Sequence, residues 1–232
     1  PHMPKTFGYD PQNYILLLED LGNCQDMSII YQSRIISNHQ VKELTSILRA
    51  IHESSPPKDF TDNREMRKLN HQHIFELPFL VDNGFSLDDI QDGLQELSMP
   101  YKRDDDLKRI VSDIGNTYLE QGTTLLHGDY YPGSWMTEND NLYVIDPEFA
   151  FVGFAEFDLG IMVGHLIMAT QNKEIIDKLL PLYGNTVDKG LVIKIAGIEI
   201  MRRIIGLAQL PMQRTLEEKG GLLKIAYKMI MK

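Results

Sequence analysis

The sequence predicts an α+β fold, mostly helical with small β-hairpins, and three observations carry that prediction. Apolar residues recur at helical spacing through several long segments. Short apolar runs bounded by turn residues occur at the start of the chain and again near its middle. Beyond Asp158 the pattern is helical to the end.

Pro1-His2-Met3 has the look of a cloning remnant, which puts the native start at Met3. Tyr14 to Leu18 is bounded by a Pro/Asn turn and by Glu19-Asp20 and reads as a strand, with Lys5 to Tyr9 as its antiparallel partner. Asn38 is expected to cap a helix whose Val41, Leu44, Ile47, Leu48 and Ile51 share one face, and Ser54-Ser55-Pro56-Pro57 ends it. Ser86-Leu87-Asp88-Asp89 opens another helix, and Leu107, Ile110, Val111, Ile114 and Tyr118 mark a longer one. Thr123 to Leu126 and Leu142 to Ile145 read as two short strands around a polar loop. Val187 to Leu210 is a long amphipathic segment that Pro211 is expected to stop.

The 232 residues carry 23 Lys+Arg against 33 Asp+Glu, a formal charge of −10, which argues against a nucleic-acid module. Cys24 is the one cysteine, so no internal disulfide and no cysteine zinc site is available. Apolar runs fall far short of the ~20 residues that cross a bilayer. These features read as an acidic, soluble, cytoplasmic protein with no membrane or nucleic-acid partner.

Chemistry concentrates between His127 and Asp158. His127-Gly128-Asp129 follows one short strand and Asp146-Pro147-Glu148 follows the other. If these strands form a hairpin, the carboxylates emerge at one end, where loops on rigid scaffolds present reactive groups. Three converging carboxylates need an offset, and Mg2+ with phosphate oxygens is the cheapest. A carboxylate held off the metal would then accept a proton from an attacking hydroxyl. The alternative makes Asp129 and Asp146 turn residues beside Gly128 and Pro147.

His127-Gly128-Asp129, Ser134 and Ile145-Asp146-Pro147-Glu148 resemble the aminoglycoside phosphotransferase/choline kinase family, small-molecule kinases with a protein-kinase-like fold. Ser134 in place of the usual Asn, the run Asp146-Pro147-Glu148-Phe149-Ala150-Phe151, and Arg202-Arg203 within Met-Arg-Arg-Ile-Ile-Gly bring it nearest the methylthioribose kinase subgroup. The likeness spans about Pro4 to Leu210. It implies Asp129 as catalytic base, Asp146 and Glu148 as Mg2+ ligands with Ser134 at a further metal position, and Arg202 and Arg203 as substrate-binding residues. The Leu18-Glu19-Asp20-Leu21 segment resembles the hinge, so Glu19 and Leu21 would meet the adenine of ATP. Adjacent helical residues point about 100° apart, so one arginine could instead be a surface residue.

His71 and His73 read as structural or surface residues, and Lys102 to Asp106 as a solvated face. Trp135, Phe149, Phe151, Phe154 and Phe157 read as core beneath the loop.

The family places a glycine-rich loop and a strand lysine before the hinge, and neither is present here. The resemblance therefore divides the chain into a scar (1–3), a remnant strand pair and hinge of an amino-terminal lobe (4–22), and a kinase-like carboxyl-terminal lobe (23–232). It implies a small-molecule kinase moving the ATP γ-phosphate to a methylthioribose-like sugar hydroxyl, weak or inactive without the lobe. A second copy or a partner chain would supply what is missing. The competing reading is a pseudokinase-like binding or scaffolding module without turnover. A two-carboxylate glycosidase leaves the arginine pair unexplained.

Overall fold

The computed structural model describes residues 2–138, 141–184 and 187–232. Strands β1 (Thr6–Asp10), β2 (Ile15–Leu18) and β3 (Gln25–Asp26) lead into helices α1 (Ile30–Ser33), α2 (Asn38–Glu53), α3 (Arg64–His71), α4 (Leu94–Lys102) and α5 (Asp105–Leu119). Strands β4 (Thr124–Leu126), β5 (Trp135–Glu138), β6 (Asn141–Val144) and β7 (Phe151–Gly153) form the middle. Helices α6 (Glu156–Thr170), α7 (Ile175–Tyr183), α8 (Lys189–Ile205) and α9 (Leu216–Ile230) complete the chain.

Helix α6 is apolar all round and buried from Phe157 to Ala169, as a helix without a polar face must be. Gly160 and Gly164, one turn apart, let α8 approach closely. A Cβ at Gly160 would sit 2.4 Å from Ile195 Cγ2, and one at Gly164 would sit 2.9 Å from the Ala196 carbonyl oxygen. This contact places the carboxyl end of α8 beside the loop that follows β4. On the outer side α8 packs against α9, whose Leu222, Leu223 and Ala226 are buried.

The expected pairing of the two middle strands is not what forms. β4 pairs with β7, Leu126 opposite Phe151, whereas β6 pairs with β5, Trp135 opposite Val144. The four residues of β5 were too short a pattern to read inside a polar loop. β3 adds to the other edge of β5, giving the order β3-β5-β6. β1 and β2 form the antiparallel hairpin anticipated, with Asp10 opposite Ile15 and Thr6 opposite Leu18.

Helix ends shift by one to several residues from expectation. Ser37, not Asn38, caps α2, in a reciprocal capping box with Gln40. Ser86 starts only a short 3-10 turn, Leu87–Asp89, and α4 begins at Leu94. α8 ends at Ile205, well before Pro211. Lys102 is fully buried rather than solvated, because the end of α4 is covered by α9 with Tyr101 against Tyr227 at 6.0 Å. Burial lowers the Lys102 amine below its ordinary value.

Trp135, Phe151 and Phe157 are core residues as expected, packed with Tyr118 and Tyr130, while Phe149 and Phe154 are half-buried. Tyr118 and Phe157 lie 4.7 Å apart between ring centres, and Tyr130 and Trp135 5.3 Å. His71 packs on Phe75 and faces Glu76, a structural position. Among the described residues no helix is long and apolar enough to cross a membrane.

Candidate active site

The segment after β4 is held from several sides. Gly128 has φ +85°, and a Cβ there would lie 2.2 Å from the Phe149 carbonyl oxygen, so only glycine fits. Asp158, fully buried in the first turn of α6, accepts the backbone N–H of His127 at 2.7 Å and of Gly128 at 3.0 Å. Its third partner is His52 Nε2 at 3.1 Å, and His52 Nδ1 lies 2.9 Å from the Tyr183 hydroxyl. A buried carboxyl group is tolerable only when so satisfied.

These contacts bring the two loops together although their strands lie in different sheets. His127 Nε2 donates to the Ile145 carbonyl at 2.9 Å. The Ile145 N–H donates to the Ser134 carbonyl at 3.0 Å. Ser134 is buried and its Oγ donates to the Asp129 carbonyl at 2.9 Å, so its hydroxyl braces the loop. The loops that carry Asp129 and Asp146 are thus joined by these cross-loop bonds rather than by a hairpin.

Asp129 is half-buried and faces Arg203, whose terminal nitrogen is 3.6 Å from Oδ1. Burial raises its carboxyl above the ordinary value, opposed by Arg203 and Arg202. Both arginines are buried, so neither is a surface residue. They converge because Glu199, one turn earlier, binds each through Nε: Arg203 at 2.7 Å and Arg202 at 2.6 Å. Arg203 also lies over the Tyr131 ring at 5.1 Å. Arg202 makes its ion pair with Glu199 through Nε.

Glu199 is itself backed by His165, with Nε2 2.8 Å from Oε1. His165 Nδ1 meets the Tyr31 hydroxyl at 2.6 Å. Burial lowers the imidazole to about 4, so the ring is neutral at pH 7, with Nε2–H donating to the carboxylate and Nδ1 accepting from the tyrosine. Burial disfavours the Glu199 carboxylate, but Arg202, Arg203 and His165 outweigh it and hold Glu199 well below the usual carboxylate range.

Asp146 and Glu148 are exposed on the turn after β6, and Asp146 takes a left-handed backbone (φ 59°). No group of three or more His, Cys, Asp or Glu converges as a metal cage among the described residues. Two carboxylates on one turn still fit a Mg2+ ion carried by phosphate oxygens, which is how that ion is usually held beside a nucleotide. Glu19 donates its N–H to the Lys5 carbonyl at 2.8 Å, and the Leu21 carbonyl accepts from Cys24 at 3.3 Å. A cleft of about 640 Å³ lined by His52, Glu53, Thr124 and Tyr183 lies behind the loop and contains none of the anticipated site residues.

Sequence reading missed Asp158, His52, Glu199, His165 and Tyr31. Only Glu199 left a signal, its placement three and four residues before the arginines.

The described elements form a protein-kinase-like fold, and comparison with known proteins gives the family. The phosphotransferase enzyme family profile matches residues 21–190. The chain belongs to this family of aminoglycoside-phosphotransferase-type enzymes. Methylthioribose kinase 1 of Oryza sativa subsp. japonica is 34% identical over 110 residues, 47% of this chain and 25% of that protein. Methylthioribose kinase of Bacillus velezensis is 27% identical over 175 residues, 75% of this chain and 40% of that protein. The chain thus spans less than half the length of these relatives. Among solved structures, a choline/ethanolamine kinase family protein of Mesorhizobium loti superposes with TM-score 0.54 at 12% identity, covering 99% of this chain and 75% of that one. Spectinomycin phosphotransferase in its AMP-bound complex gives 0.53 at 16%, covering 97% and 78%. At such identities the likeness shows the fold alone.

Proposed function

We propose that the chain carries the catalytic face of a cytoplasmic small-molecule kinase, moving the ATP γ-phosphate to a sugar hydroxyl of the methylthioribose type. The observation that carries this is Asp129 on a braced strand-end loop, 3.6 Å from Arg203 and tied through His127 to the turn bearing Asp146 and Glu148. The sugar hydroxyl oxygen forms its bond to the γ-phosphorus as the bond to the β-phosphate oxygen breaks, ADP leaves, and the hydroxyl proton passes to an Asp129 oxygen. Burial makes that carboxylate a stronger base than an exposed one, and Arg203 keeps it oriented. The Arg202 guanidinium grips the acceptor. Asp146 and Glu148 would hold Mg2+, which when bound neutralises phosphate charge. The backbone of Glu19 and Leu21 would face the adenine.

The test is ATP consumption by the purified protein with 5-methylthioribose and Mg2+, against Asp129→Ala. Turnover that disappears with the substitution supports the reading, and equal small effects of Asp129→Ala and Asp146→Ala would sink it. The alternative is a binding module without turnover. A thermal shift with the sugar alone and none with Mg-ATP would select that alternative.

A further inference from the structure

Asn63 stands where the linker after α2 enters α3, and its backbone is left-handed (φ 49°, ψ 39°). At this capping position an asparagine ordinarily accepts a first-turn N–H, yet its side chain makes no such bond. Instead Nδ2 donates to the Glu148 carbonyl at 2.7 Å and to the Ala150 carbonyl at 3.3 Å. Those carbonyls belong to the turn that carries the Asp146 and Glu148 carboxylates.

That turn has little of its own to hold it. It opens on a left-handed non-glycine residue, Asp146, whose side chain makes no cap, and its internal backbone bond runs from Ala150 N–H to the Pro147 carbonyl at 3.0 Å. Strained conformations of this kind persist only where surrounding groups over-determine them. Gly128 supplies one restraint by its close approach to the Phe149 carbonyl. Asn63 supplies another, from a residue 85 positions away in sequence.

We infer that Asn63 is a positioning residue for this turn: by fixing the carbonyls of Glu148 and Ala150 it sets where the Asp146 and Glu148 carboxylates point and so how firmly they hold a divalent cation beside a nucleotide. The inference rests on the reading of this turn as metal-bearing.

Asn63→Asp keeps the size and the tolerance of left-handed backbone but removes both N–H donors. Asn63→Gly keeps the backbone freedom and deletes the tie. Free Mn2+ is followed by electron paramagnetic resonance during titration of the protein with ADP present, for wild type, both Asn63 variants and Asp146→Asn, with the melting temperature of each. Both Asn63 variants are expected to weaken Mn2+ binding roughly 10-fold, as loss of groups that orient metal ligands does, with melting temperature nearly unchanged. Wild-type affinity in both, beside a loss in Asp146→Asn, overturns the positioning role and leaves the metal reading standing. A fall in affinity that merely tracks a large fall in melting temperature also overturns it. No Mn2+ binding by the wild type overturns the metal reading and this inference together.

Discussion

Asp129 and Glu199 sit in opposite electrostatic positions. The fold prefers the Asp129 side chain neutral, since burial raises its carboxyl above the ordinary value. Asp129→Asn should therefore abolish turnover while raising thermal stability at pH 7, read by activity and melting on the same preparation. Glu199 is held ionised by two arginines, and Glu199→Gln leaves them facing each other with only Asp129 nearby. Removing one partner of a buried pair typically costs about 3–5 kcal/mol, measurable by urea unfolding. His165 gives a pH dependence. Its imidazole titrates at about 4 in the fold against 6.5 unfolded, so the unfolded chain takes up the proton first as the medium is acidified. Its contribution is full above about pH 6.5 and is lost progressively toward pH 4. The groups around it are Tyr31, Tyr131, Glu199, Arg202 and Arg203, and Glu199 adds loss in the same direction below its own unfolded value. His165→Phe should flatten the upper part of this slope. Asp129 and Asp146 stood out in the sequence because they lie in short motifs next to Gly128 and Pro147, and the arginines because they are adjacent within one helix. Tyr31, His52 and His165 did not, since each stands outside any motif and meets a partner more than a hundred residues away in sequence.

At the scale of elements, the close contact of α6 with α8 is what brings Glu199 to His165. Gly160→Ala would press a methyl group to 2.4 Å from Ile195. Overpacking of this kind costs about 1–3 kcal/mol, and it should also raise the KM for the acceptor by displacing the arginines, a pairing of effects that unfolding and kinetics report together. The helices were legible from periodicity because their apolar faces repeat over fifteen residues or more, as in α2 and α5. The strands were legible as segments but not as pairs. Partner choice between β4, β5, β6 and β7 depends on which faces bury Leu126, Trp135 and Phe151, information that three- and four-residue runs do not carry.

At the scale of the whole molecule the β1–β2 hairpin gathers exposed apolar side chains that elsewhere stand scattered, as Ile35 and Leu69 do. Phe7 and Tyr9 are 64% and 62% exposed, and Ile15, Leu16 and Leu17 lie 53–60% exposed beside them. Exposed strands with apolar side chains invite pairing. The chain should associate as its concentration rises in sedimentation velocity, and Leu16→Lys with Leu17→Lys should return it to monomer without loss of helix content. Net charge and composition gave no sign of the buried network.

The ties that shape the site also set when it can exist. His52 to Asp158 closes a loop of 106 residues, His52 to Tyr183 one of 131, and Tyr31 to His165 one of 134. Closing loops of that length is slow compared with forming a helix, because chain entropy is lost before any contact compensates for it. After dilution from denaturant, helical circular dichroism should therefore return ahead of the ability to bind nucleotide. The loop that carries Asp129 should then be among the last parts of the molecule to be assembled.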